Sequence, residues 1–202
     1  MFFVCIRLKN GFGMTYKSST EDGFDQFTRA LYDESDRGLA LIAASALDFD
    51  LGQLLRKTVV DNKKIAKEIF ETSRPLSSFS SRIDVAYLLG ILSIEEHHEL
   101  HLIRKIRNEF GHSFDDTSFS TKKIKSMCEH LKLSIYPDAP ERNKFQMSTA
   151  FLLGSLKKSI EQAQHVAEAQ ATDFSAANES WDTYIARLKK ASQRTTTAPV
   201  TK

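Results

Sequence analysis

Apolar residues recur at spacings of three and four along most of this chain, and one unbroken series runs through Leu39, Ile42, Ala43, Ala46, Leu47, Leu54 and Leu55. A period near 3.6 residues predicts helices and leaves strands unnecessary. A first short helix is expected over residues 23–32. A second opens at Ser35, whose hydroxyl can accept first-turn amides. Within it Ala40, Ala43, Ala44, Ser45 and Ala46 are small enough for neighbouring helices to approach closely, which marks it as the central helix. A polar helix follows over 61–70. The stretch Ser73-Arg74-Pro75-Leu76-Ser77-Ser78 then supplies a turn and a cap. Residues 79–92 carry Ile83, Val85, Ala86, Leu88, Leu89 and Ile91, apolar nearly all round, and so predict burial on several sides, with Arg82 and Asp84 as polar exceptions.

Ser93 is the cap of the next helix, which holds Glu95 and Glu96 in its first turn and arginines and lysine in its last turns, matching the helix dipole. Gly111 is its expected stop. A loop over 113–120, a short basic helix over 121–131 and a break at 137–140 precede a long amphipathic helix over 144–169 with Phe145, Phe151, Leu152, Leu156, Ile160 and Val166. Trp181, Tyr184, Ile185 and Leu188 mark a last helical piece able to dock or swap onto a partner, followed by a disordered Thr-rich end from Arg194. No internal repeat is visible. The pattern is that of an all-α, compact multi-helix bundle. It divides into a flexible extension over 1–20, a single helical domain over 21–170 and a helical tail over 171–202.

Composition narrows the function without naming it. With 202 residues and 41% apolar content the chain can bury a core of its own. Lysine and arginine number 28 against 26 aspartates and glutamates, a formal charge of +2 that gives no whole-chain case for nucleic acid. Cys5 and Cys128 have no metal spacing and suit reduced thiols in a cytoplasmic protein. The opening Met1-Phe2-Phe3-Val4-Cys5-Ile6 lacks the flanks of a signal peptide, and Met14 is a second candidate start. No apolar run reaches membrane-spanning length, so a soluble protein with no membrane association is expected.

The strongest chemical candidate is Arg107-Asn108-Glu109-Phe110-Gly111-His112. An arginine can neutralise a phosphodiester while a histidine moves a proton near neutral pH. On a helical wheel with Ile103 at zero, Leu100, Ile106 and Phe110 define a buried arc and Arg107 falls inside it, at about +40°. A guanidinium there needs either a carboxylate or a site. Glu99, Asp84 and Asp36 are the candidate carboxylates, so Asp36, Arg37, Arg82, Asp84 and Glu99 form a candidate structural or interface network. His112 lies about 140° from Arg107 on a continuous helix, and a left-handed Gly111 would turn it back. Asn108 falls on the opposite, exposed side with His97 and His101. Two readings stay open: a catalytic or binding site, and a helix end with a structural ion pair.

Three blocks carry a family likeness: Glu34-Ser35-Asp36-Arg37-Gly38, the run from Pro75 to Gly90 and the run from Leu102 to His112. Across roughly residues 22–170 the chain resembles the mannitol operon repressor family. That resemblance implies an all-helical cytoplasmic bacterial protein named as a transcriptional regulator of sugar-alcohol uptake, without a known DNA-reading element. Arg107-Asn108-x-x-x-His112 is also similar to the motif of HEPN domains, which include metal-independent ribonuclease toxins alongside non-catalytic binding modules. This second likeness implies a homodimer in which Arg107, Asn108 and His112 of two chains act on RNA through a ribose 2′-hydroxyl.

Other signals are weaker. His97 and His101 share a helix face without an evident third ligand, so no metal and no cofactor are expected. Lys122, Lys123 and Lys125, with Arg187, Lys189, Lys190 and Arg194, read as solvated faces, which makes direct DNA binding doubtful and a protein partner the better fit for a regulator.

Overall fold

A computed structural model describes residues 5–7, 13–15, 21–71, 73–112, 116–172 and 180–195. The chain forms two units, Met1–Ala167 and Glu168–Lys202. In the first, α1 (Glu21–Tyr32), α2 (Asp36–Thr58), α3 (Lys63–Phe70), α4 (Phe79–Leu88), α5 (Ile94–His112), α6 (Lys122–Glu129) and α7 (Glu141–Gln162) build a helical bundle. In the second, α8 covers Trp181–Thr195. The fold is all-α, as the periodicity predicts, with one small addition. Strands β1 (Cys5–Arg7) and β2 (Gly13–Thr15) pair antiparallel, Ile6 opposite Met14. The rest of the extension over 1–20 and the Thr-rich end beyond Thr195 lie outside the described residues.

The centre of the bundle is α2, against which α7, α5 and α4 all pack. Leu39, Ala40, Ala43, Ala44, Leu47, Leu51 and Leu55 are fully buried along it. Its alanines keep the helix thin on these faces, so neighbouring backbones come close. By length and composition α2 could cross a membrane, contrary to the expectation that no segment reaches that size, yet most of it is buried within the bundle. Around it, Phe119 in the α5–α6 loop touches both Phe110 and Phe145, each at 5.1 Å between ring centroids, and so joins α5 to α7. Tilted aromatic pairs of this kind add to simple area burial.

Helix starts follow the local chemistry. The Ser35 hydroxyl accepts from the Gly38 amide at 3.1 Å, Asn62 accepts from Ile65 at 3.1 Å, and Ser78 accepts from Ser81 at 3.1 Å. Ser93 and Glu96 form a reciprocal capping box, at 3.1 and 2.9 Å. Helix ends depart from the sequence expectation. The long last helix of the first unit begins at Glu141 and stops at Gln162 instead of running over 144–169. Beyond it the Val166 amide donates to the Thr58 carbonyl at 3.0 Å and the His165 ring meets the Val59 carbonyl at 2.7 Å, so an irregular strap closes the C-terminal end of α2.

Two further corrections matter for the site. First, α4 ends at Leu88 and turns through Gly90, whose φ of 70° is open to glycine and strained for other residues. Only Phe79, Ile83 and Ala86 of this helix are buried, so the apolar stretch is not covered on several sides. Second, α5 continues through Gly111 to His112, and Gly111 does not act as a left-handed stop. A β-carbon at Gly111 would meet Leu41 at 3.9 Å, an ordinary contact, so neither a turn nor a close approach requires glycine there.

Candidate functional site

Because α5 is unbroken, Arg107 and His112 point about 140° apart within one chain. Arg107 is half-buried and donates to the Asn108 side-chain carbonyl at 3.1 Å, while His112 is exposed. Asn108 is therefore half-buried against its neighbour instead of lying on a free face. The structure brings Arg107 and Asn108 together and leaves His112 apart from them.

None of the three carboxylates expected to neutralise Arg107 does so. Glu99 is 1% exposed and its carboxylate accepts the backbone amides of Lys132 and Leu133, both at 3.0 Å, together with the Ser148 hydroxyl. Asp36 accepts the Phe119 amide at 2.9 Å and Arg142 at 2.5 Å, and Arg142 also donates to the carbonyls of Tyr32 and Glu34. Asp84 is held by two histidines. The carboxylate whose field Arg107 shares is Asp48 on α2, bound by Arg82 at 2.6 Å. Burial raises the Asp48 carboxyl above its ordinary range, against the lowering pull of Arg82, Arg107 and Arg56. Burial, with Arg82 nearby, lowers Arg56, whose guanidinium lies 4.2 Å over the Phe70 ring. Arg82 also donates to the Leu76 carbonyl at 2.9 Å, tying the α3–α4 loop to α2. Arg37 is half-buried on the first turn of α2. Asp36, Arg82, Asp84 and Glu99 thus each bond different partners.

The cluster that sequence reasoning missed lies between α4 and α5. The Nε2 atoms of His97 and His101 stand 3.0 and 2.9 Å from one oxygen of Asp84. The two histidines, expected on a free exposed face, are half-buried, and their rings meet edge to face at 4.6 Å. Tyr87 packs against His97 at 4.8 Å. Hydrogen bonds from His97 and His101 hold the Asp84 carboxyl below its usual value, and burial lowers His101 despite Asp84. The sequence signal was available: Asp84 and Tyr87 are three apart on one helix, and His97 and His101 are four apart on the next.

Beside this cluster the α4–α5 corner exposes Tyr87, Leu88, Leu89 and Ile94, with Leu88 79% and Ile94 54% accessible. Contiguous exposed apolar side chains mark interaction surfaces more often than chance. The basic residues of α6 are partly neutralised, Lys123 by Glu109 at 2.6 Å and Lys125 by Glu141 at 3.1 Å. In the second unit Arg187 lies 5.6 Å from the Tyr184 ring.

These features define a small all-helical bundle held by buried polar clamps, with an exposed apolar corner. The structure is similar to a chain in the MtlR–HPr complex from Escherichia coli, with a TM-score of 0.52 and 16% identity, covering 69% of this chain and 96% of that one. At that identity the likeness establishes a shared fold. No protein-family model matches the sequence, and no curated protein matches it significantly.

Proposed function

We propose that this chain is a cytoplasmic regulator of the mannitol operon repressor type that works as a homodimer and acts by docking a protein partner instead of reading DNA itself. The observation that carries the proposal is the exposed corner Tyr87, Leu88, Leu89 and Ile94 on a bundle whose fold matches a chain solved in complex with HPr. The partner we infer is a small folded protein of the HPr kind, whose apolar contact would cover Leu88 and Leu89. Burying two leucines releases about 2–3 kcal/mol each, enough to make them anchors of a moderate-affinity interface. The pairing of Lys123 and Lys125 with acids supports the choice of a protein over a phosphate backbone.

Calorimetric titration of purified HPr into the full chain tests the reading. Association is expected, weakened at least tenfold by Leu88→Asp with Leu89→Asp, both solvent-facing and so tolerated by the fold. Absence of binding by the wild-type chain, or binding indifferent to the double substitution, would overturn it. So would tight, salt-dependent binding to promoter DNA by the chain alone.

A further inference from the structure

We propose that Asp84, His97 and His101 form a binding site for a first-row transition dication, zinc foremost. One carboxylate oxygen and two imidazole nitrogens converge from two packed helices, and their candidate ligand atoms all lie within 4.8 Å of one another. Two imidazoles and one carboxylate suit zinc, cobalt or nickel, and disfavour magnesium and calcium, which take oxygen ligands.

The two His–Asp pairs need little adjustment, and the histidine pair must close. Bonds of about 2.0–2.1 Å at tetrahedral angles place ligand atoms about 3.3–3.4 Å apart. The histidine nitrogens stand 3.0 and 2.9 Å from Asp84 Oδ1, and the whole set spans no more than 4.8 Å, so an ion enters when the two His–Asp distances open by about 0.4 Å and the two histidine nitrogens draw together by up to about 1.4 Å. The Asp84 side chain is 52% exposed and free to shift, and the closing of the histidine pair falls to ring rotation of His97 and His101, at 23% and 18% exposure. Tyr87 fixes the His97 ring from the side. Both elements are helices joined by the Gly90 corner, so the site sits on rigid supports. Solvent on the Asp84 side supplies the remaining position, leaving the site with three protein ligands and an open coordination place.

On binding, the ion displaces the Nε2 protons to solvent or onto Nδ1 and exchanges two His–Asp hydrogen bonds for three coordinate bonds, which cross-link α4 to α5. The site stands independently of the docking proposal, because its readout is the metal itself.

The experiment is titration of the untagged full chain with Zn²⁺ by calorimetry and with Co²⁺ by visible absorption. One equivalent is expected with micromolar or tighter affinity, with the intense d–d bands of tetrahedral cobalt. Asp84→Asn and His101→Gln each weaken binding at least about tenfold, as even outer-shell changes do in metal sites. His98→Gln, on an exposed neighbour, leaves it unchanged. Failure to bind one equivalent, weak octahedral cobalt bands, or undiminished binding by the Asp84→Asn and His101→Gln double variant would overturn the site. Should a variant unfold, the wild-type cobalt spectrum decides alone.

Discussion

Replacing Glu99 by alanine tests the organisation of the bundle most directly. The buried carboxylate stands where the chain leaves α6 for α7 and takes the amides of Lys132 and Leu133 and the Ser148 hydroxyl. Its loss strands three donors, each costing about 1–3 kcal/mol if water does not replace the acceptor. The exposed Lys132 side admits water to part of the space, and relief of carboxylate desolvation offsets several kcal/mol more. The net loss is about 3 kcal/mol, which lowers the melting temperature by roughly 6–12 °C for a domain of this size. Glu99→Gln keeps the volume and one acceptor, and loses about 1–2 kcal/mol. Urea unfolding followed by circular dichroism gives the magnitude. Amide exchange at Lys132 and Leu133 gives the location, since protection there is expected to vanish in the alanine variant. If Glu99→Ala unfolds within about 0.5 kcal/mol of wild type and both amides stay protected, the clamp is not what holds the α6–α7 connection.

Arg142→Ala removes the side chain that links Asp36 to the carbonyls of Tyr32 and Glu34, and is expected to cost about 2 kcal/mol and to raise proteolytic cleavage in the α1–α2 turn. The Cys128 thiol is fully buried and pushed up to about 12 by burial, so it should stay unreactive toward disulfide reagents near pH 8 and react only as fast as the chain opens. The same shift has a sign. The unfolded thiol ionises from its ordinary value of 9.0 while the folded one keeps its proton up to about 12, so wild-type stability should decline across that interval relative to Cys128→Val. A parallel pH profile for the two proteins would refute it.

What was legible in the sequence was local. Ser35 and Ser93 read as caps because a cap depends on the three residues that follow it, and α2 read as central because its alanines and leucines alternate at helical spacing. The failures share a cause. Gly111 permits a helix to stop without requiring it, and α5 runs through it to His112. Asp36 finds Arg142 at a separation of 106 residues, and Glu99 finds Lys132 across 33, so no window along the chain contained those pairs. Leu88 and Leu89 read as core because composition cannot show that α4 ends one residue before a corner.

Those long-range pairs change what an arginine in an apolar arc means. Such a residue demands compensation, and the sequence offers only a roster of acids within reach. In the folded chain Arg82 donates to Asp48 and to a loop carbonyl, Arg142 to Asp36 and two carbonyls, and Arg107 to the amide beside it while sharing the field of Asp48. Arg82 and Arg142 each satisfy backbone carbonyls and pair a part-buried carboxylate. In the hexapeptide ending at His112, Arg107 and Asn108 are held together and His112 is exposed. Among the described residues, converging ligand atoms with solvent access are those of Asp84, His97 and His101, between α4 and α5.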